Sequence, residues 1–285
     1  MGKTIVSRHD SPLGQWTRAI YFPDPPLASS VEMLWFVAGR TQFVRDRRLP
    51  EGKPHLLFNL GDAPTLFARD PARAPRKFPT CWVSGQQQSY LETGADGAAA
   101  LLGAQFHSHG AYRLLGVPQH ELSNEVVELE AVLGDRVLAL RERLLNTGSP
   151  QECFALLEHW LLGLFLRGPA LHPAVTAASR AIDNDPSDLQ LMHLSRELGI
   201  SREHLIRRFR EQVGLAPNAY ANILRFDRTL KLARRQRMPW SRIAQAGGYY
   251  DQAHLARDFQ RYAGRAPGSL LRDRMPDDAS IVIDQ

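Results

Sequence analysis

The sequence predicts an α+β chain of two domains. A β-rich N-terminal domain with flanking helices precedes an all-α domain of two helix-turn-helix units joined by a long helix. Three observations carry this. Short β-prone segments cut by Gly, Pro and Asp fill residues 31–107. One helical pattern occurs twice, fifty residues apart: SREHLIRRFREQVGLAP (201–217) and DQAHLARDFQRYAGRAP (251–267). Charge is also partitioned, with 17 Lys and Arg against 17 Asp and Glu in residues 1–169, and 18 against 10 in residues 170–275. A basic excess confined to one domain is the footprint of a nucleic-acid partner, although a solvated Arg-rich surface gives the same count.

Residues 1–30, punctuated by Pro12, Pro23, Pro25 and Pro26, show no sustained period and read as irregular. From Val31 the segments VEMLWFVAG, TQFVRDRRL, HLLFNLG, TLFARD, TCWVSGQQ, SYLETG and AAALLGAQFH read as strands. Leu56, Phe58 and Leu60 share one face of a period-2 strand, and AAALLGAQF suits a strand buried on both sides. Regularly spaced short strands predict a β-barrel, cupin-like, or a sandwich. After His109 the texture turns helical. VVELEAVLGDRVLALRERLL places Val126, Leu129, Leu133, Val137, Leu140 and Leu144 on one stripe; QECFALLEHWLLGLFLRG does the same with Phe154, Leu157, Trp160, Leu161, Leu164 and Phe165. These helices either cover the barrel or form a dimer interface. Gly168-Pro169 sets the boundary, giving an effector-sensing or dimerisation domain over 1–168, a DNA-binding domain over 169–275 and a polar, frayed tail over 276–285.

The second domain opens with a helix at Pro173. LQLMHLSREL follows, with Leu189, Met192, Leu194 and Leu198 as its apolar set, then the turn Gly199-Ile200-Ser201 and the first repeat helix. PNAYANILRFDRTLKLARRQ links this unit to WSRIAQAGG, a turn over 247–250 and the second repeat helix. Ser201 and Asp251 are N-cap residues, and each copy stops at a Gly followed by Pro. Leu205 and Phe209, four apart, face the core; Arg207 lies about 200° from Leu205 and points away. Leu255, Phe259 and Arg257 repeat that arrangement. Arginine is the common bidentate reader of guanine in the major groove, so two outward arginines at one register position point to two docked recognition helices. His204 and His254 are also repeated, and a structural role is as consistent with them as base contact. Arg225, Arg228, Lys231, Arg234 and Arg235 on the linking helix either touch phosphates or are solvated.

Residues 180–273 resemble the DNA-binding domain of AraC/XylS-type transcription regulators, through Leu198-Gly199-Ile200-Ser201, Leu205, Arg207, Phe209, Gly214, Pro217, Arg225, Ile243-Ala244, Gly248-Tyr249, His254-Leu255, Arg257, Phe259, Gly264 and Pro267. Tyr249 stands where that family usually has Phe. The resemblance implies seven helices, with two recognition helices in successive major grooves on one side of the duplex. It also implies base-reading residues at Glu203, Ile206 and Arg207, and at Gln252, Ala253 and Arg257. The DNA-binding set expected overall is Ser201, Arg202, Glu203, His204, Ile206, Arg207, Asp251, Gln252, Ala253, His254 and Arg257. The N-terminal part resembles the β-rich sensory domains fused to such regulators through LPEGKPHLLFNLGD, WVSGQQ and LGAQFHSHGAYRLLG, but Ser108-His109-Gly110 departs from their Pro-Gly.

Catalytic motifs such as GxSxG, a P-loop or HExxH are absent from the sequence, so a non-enzyme without cofactor is expected. His107 and His109, two apart, form a metal-pair candidate with His55 as third ligand; no Glu follows at the required distance. On that pair rests the alternative, a metal-dependent β-barrel enzyme with a DNA-binding appendage. Trp35, Phe36, Phe58, Phe67, Trp82 and Phe106 either line an effector pocket or form core. Cys81 and Cys153, far apart, read as reduced structural thiols. With no apolar signal core and no membrane-length apolar run, the expected setting is cytoplasmic. The expected function is a one-component, sequence-specific transcription regulator. Its partners would be operator or promoter double-stranded DNA and an unidentified small molecule, with RNA polymerase and a second copy as further candidates.

Overall fold

The computed structural model describes residues 3–67, 74–94, 98–187, 190–236, 238–273, 275–277 and 279–283. The N-terminal strands are β1 (Lys3–Ser11), β2 (Gly14–Phe22), β3 (Val31–Thr41), β4 (Arg45–Arg48), β5 (His55–Asn59), β6 (Thr65–Phe67), β7 (Arg76–Lys77), β8 (Cys81–Ser84), β9 (Leu91–Gly94) and β10 (Ala98–Phe106). Helix α1 (Gly110–Leu115), strand β11 (Val126–Glu128) and helices α2 (Leu129–Leu133), α3 (Arg136–Leu145) and α4 (Pro150–Arg167) complete that half. The C-terminal half holds α5 (Pro173–Asn184), α6 (Leu191–Glu197), α7 (Arg202–Val213), α8 (Pro217–Arg235), α9 (Trp240–Ala246), α10 (Gln252–Ala263), α11 (Pro267–Leu270) and strand β12 (Ser280–Val282).

The chain is mixed α+β, but the β-rich domain is not a closed barrel. Its strands form a seven-stranded sheet, β1-β2-β3-β10-β5-β8-β11, and a five-stranded sheet, β12-β4-β9-β6-β7. β10 sits centrally between β3 and β5, and its second half is buried, as its apolar run requires. Leu56 and Phe58 alternate into the core beneath α4, whose buried stripe is Phe154, Leu157, Leu161, Leu164 and Phe165. Both cysteines are buried and free.

Three segments differ from expectation. Residues 3–22 are a paired hairpin, β1 against β2 at nine positions, rather than irregular. Its first strand is largely solvent-exposed and offers no apolar alternation to read. The helix expected from Val126 begins as β11, which pairs with β8, and is interrupted at Gly134 with φ +74°. The tail is no frayed end. Ser280–Val282 pair with Asp46–Arg48 of β4, and Ile281 is fully buried in the C-terminal core beside Leu49. Leu189 lies outside the described residues, while Met192 of its expected apolar set is exposed.

Candidate nucleic-acid interface

α7 and α10 are built alike from the first residue. Ser201 Oγ accepts the His204 N–H at 3.2 Å, and Asp251 Oδ1 accepts the His254 N–H at 2.7 Å. Each cap satisfies a donor that the first helical turn would otherwise leave open. Gly214 (φ +99°) and Gly264 (φ +65°) end the helices in the left-handed region, and Pro217 and Pro267 open the helices that follow. Between these ends, residues 201–210 and 251–260 carry the same pattern of exposure at every position. Leu205, Phe209, Leu255 and Phe259 are buried; Ser201, Arg202, Glu203 and Arg207 are exposed, as are Asp251, Gln252, Ala253 and Arg257. Ile206 is half-buried, like Ala256 at its counterpart.

Both outward arginines lean toward the N-terminus of their helix. Arg207 Nη2 lies 3.4 Å from His204 Nδ1, and Arg257 Nε donates to the Ala253 carbonyl at 3.3 Å. Helical side chains favour that direction, which brings both guanidinium groups over the first turn. The two histidines flank this face and are half-buried. His254 stands edge-on to Tyr249, ring centroids 5.1 Å apart, with Nε2 3.4 Å from Arg225 Nη2. His204 stands 5.7 Å from the His172 ring. Its basicity is held below the ordinary value by desolvation and then by the positive charges of Arg207 and Arg208.

The linking helix α8 spends most of its positive charge internally. Arg225 pairs with Asp258 of α10 at 3.1 Å, both side chains 13% exposed, with its guanidinium over the Tyr249 ring. That pairing turns the Arg225 guanidinium into the domain. Arg228 donates to the Asp183 and Asn184 carbonyls at the end of α5, and Lys231 pairs with Asp227. Arg235 remains exposed, and further exposed arginines, Arg210, Arg242 and Arg261, add to the basic surface.

Two contacts that the sequence did not flag hold α7 and α10 from their far ends. Ser123 donates to the Gly214 carbonyl at 2.8 Å. Arg47, paired with Glu92 and stacked over Tyr90, points Nη1 at the Ala263 and Gly264 carbonyls, 3.4 Å from each. A cation there complements the negative end of the helix dipole. Neither residue has a local signature, because each is defined by a partner on the other domain.

The N-terminal candidates are placed less suggestively. The His107 and His109 rings are nearly parallel with centroids 6.4 Å apart, and His107 Nε2 is 3.2 Å from the Ala28 carbonyl. Burial pushes His109 down to about 4, with the charges of His107 and Arg180 adding to it. His55 lies 3.9 Å from Glu51. Among the described residues no group of three or more His, Cys, Asp or Glu is placed to hold a metal ion. Phe58 and Phe106 are fully buried, Trp82 packs with Phe78 and Val126, and Phe67 lies beneath Arg45. No helix among the described residues is long and apolar enough to cross a membrane.

Residues 194–273 match the family model of a helix-turn-helix domain. The C-terminal domain is a helix-turn-helix domain of the AraC type. Residues 19–128 match a domain of unknown function (DUF6597). Similar proteins include one from Streptomyces antibioticus whose name calls it AraC-like, 30% identical over 41% of this chain and 37% of the relative. The HTH-type transcriptional regulator MtrA of Neisseria gonorrhoeae is 26% identical over 33% of this chain and 31% of its own length. These matches thus span about a third of each relative. Among solved structures, ToxT of Vibrio cholerae aligns over 83% of this chain and 98% of its own, with 11% identity and a TM-score of 0.49. The C-terminal domain of AraT, a response regulator from Geobacillus stearothermophilus, aligns over 38% of this chain and 92% of its own, with 25% identity and a TM-score of 0.35.

Proposed function

We propose that the chain is a sequence-specific DNA-binding transcription regulator of the one-component kind, acting in the cytoplasm and not an enzyme. The observation that carries this is the doubled presentation of one exposed face: a capped helix start, two polar or small residues and an outward arginine, on matching buried backs. α7 and α10 enter successive major grooves about one helical turn apart. Arg207 and Arg257 read base edges, with Glu203, Ile206, Gln252 and Ala253 beside them. Ser201, Arg202 and Asp251 lie at the helix starts, while His204 and His254 support the helices from the flank. Residues 169–275 form the reader. Residues 1–168 sense a small molecule or dimerise, and Ser280–Val282 of the 276–285 tail return to them. Helices α3 and α4 are where a second copy would sit in this scheme. RNA polymerase is the downstream partner in this scheme.

Selection of duplexes from a random pool by the purified chain, followed by genome-wide mapping of occupied sites, tests the proposal. A bipartite motif with half-sites about ten base pairs apart is expected. Recovery of unrelated sequences, or affinity no greater for selected than for random DNA, would refute it. Light scattering at the mass of one chain would remove the second copy.

A further inference from the structure

The two helix-turn-helix units are not in one register throughout. α6 and α9 begin 49 residues apart, at Leu191 and Trp240, whereas α7 and α10 begin 50 apart, at Arg202 and Gln252. The additional residue can be located. Gly199 and Gly248 open the two turns with φ of +65° and +70°. The next amide in each closes the same five-back bond: Ile200 N–H to the Ser195 carbonyl at 3.1 Å, and Tyr249 N–H to the Ala244 carbonyl at 2.9 Å. Ile200 and Tyr249 are therefore equivalent, and Ser201 and Asp251 are equivalent caps. Tyr250, between Tyr249 and Asp251, has no counterpart in the first unit.

Tyr250 is 94% exposed, the most exposed large hydrophobic side chain among the described residues. It makes no side-chain hydrogen bond, ion pair or ring contact among the described residues, so no packing demand accounts for it. Its place is specific all the same. It immediately precedes the cap of α10, on the end of the helix that carries Gln252, Ala253 and the leaning Arg257.

We infer that Tyr250 is a DNA-backbone contact of the second unit, its phenol O–H donating to a phosphate oxygen at the rim of the groove that α10 enters. This rests on α10 being a recognition helix. When the start of such a helix approaches base edges, the residue just outside it faces the flanking strand. Tyrosine hydroxyls are among the side-chain donors to DNA phosphates, and the free amides and positive dipole end of the helix favour the same anion. Ile200, the residue before the first cap, offers no donor, so the contact belongs to one unit only. It fixes how α10 is seated without choosing a base.

The test uses the full chain and a duplex recovered by in-vitro selection with the wild-type protein. Tyr250→Phe and Tyr250→Ala are expected to weaken binding about ten- to a hundredfold, as loss of one hydrogen bond to a charged group should. The loss should be equal on the selected duplex and on its single-base variants. Phosphate-ethylation interference should disappear at one position flanking one half-site, with melting temperatures unchanged. Wild-type affinity and an intact interference pattern for Tyr250→Phe would overturn the inference; loss confined to Tyr250→Ala would replace the hydroxyl contact by ring packing and overturn it too. Arg257→Ala, run in parallel, separates the two levels. An altered base preference there with wild-type Tyr250 variants defeats this contact alone, whereas unaltered preference defeats the placement of α10 and the contact together.

Discussion

Where α10 carries Asp258, α7 carries Arg208 fifty residues earlier, and the two helices part company at that position. Asp258 turns into the domain and forms the nearly buried pair with Arg225 of the linking helix. Arg208 stays half-exposed and pairs along its own helix with Glu211, whose other oxygen lies 3.4 Å from the Tyr112 hydroxyl of α1. At this position α10 is tied to the linking helix and α7 to the N-terminal domain, while residues 201–210 and 251–260 share one pattern of exposure. The duplicated sequence thus keeps the buried Leu and Phe of each helix and one outward arginine, and lets other positions follow their neighbours. Identity at most repeated positions marks shared packing; at Arg207 and Arg257 it marks a shared solvent-facing position.

The largest test of this contrast is the buried pair. Asp258→Ala should cost about 3 kcal/mol of stability, because it strands the Arg225 charge; Glu211→Ala should cost under about 1 kcal/mol. Denaturant unfolding of both variants measures the difference, and equal costs would dissolve the contrast. On the matching faces the units should instead behave alike. Arg207→Ala and Arg257→Ala should each weaken binding to a selected duplex by about 2 kcal/mol, each relaxing preference at a different base pair. An effect from only one arginine would show that a single unit reads sequence.

The helix ends give a smaller, graded test. A Cβ built on Gly214 would meet the Gln119 backbone carbonyl at 3.0 Å and Ser123 Oγ at 2.6 Å, whereas the nearest atoms to one built on Gly264 belong to the side chains of Tyr90 and Arg47. Both substitutions to Ala pay for left-handed backbone, about 1 kcal/mol. Gly214→Ala should lose about 1 kcal/mol more, read as a lower melting temperature. The caps come last. Ser201→Ala and Asp251→Ala should each cost about 1 kcal/mol. Asp251 should exceed Ser201 by a few tenths, since its charge also meets the positive helix end; the reverse order by calorimetry would contradict that.

Legibility in the sequence followed the range of the forces involved. Caps, left-handed glycines and the 3.6-residue period act within one helix, so α7, α10 and their outward faces could be read directly. The turn positions were legible too, although the displaced register at Tyr250 emerged only once the hydrogen bonds of both turns were compared. Central strands such as β5 and β10 announced themselves by apolar content. β1 could not, because its stability comes from ladder pairing with β2 rather than from burial. β12 was missed for a related reason: three residues in a polar context become core only against β4 and Leu49. Arg225 read as a surface cation until Asp258 and Tyr249 were placed around it.

The pairing of β12 with β4 also bears on how the helical domain is held. The helical domain leaves the N-terminal half between Arg167 and Pro173 and comes back to it at Ser280. Were the domain attached only where it leaves, it could swivel like a weight on a string. Attached where it leaves and where it returns, its two chain ends are fixed to one neighbour, and Ser123 at the end of α7 and Arg47 at the end of α10 fasten the stretch between them.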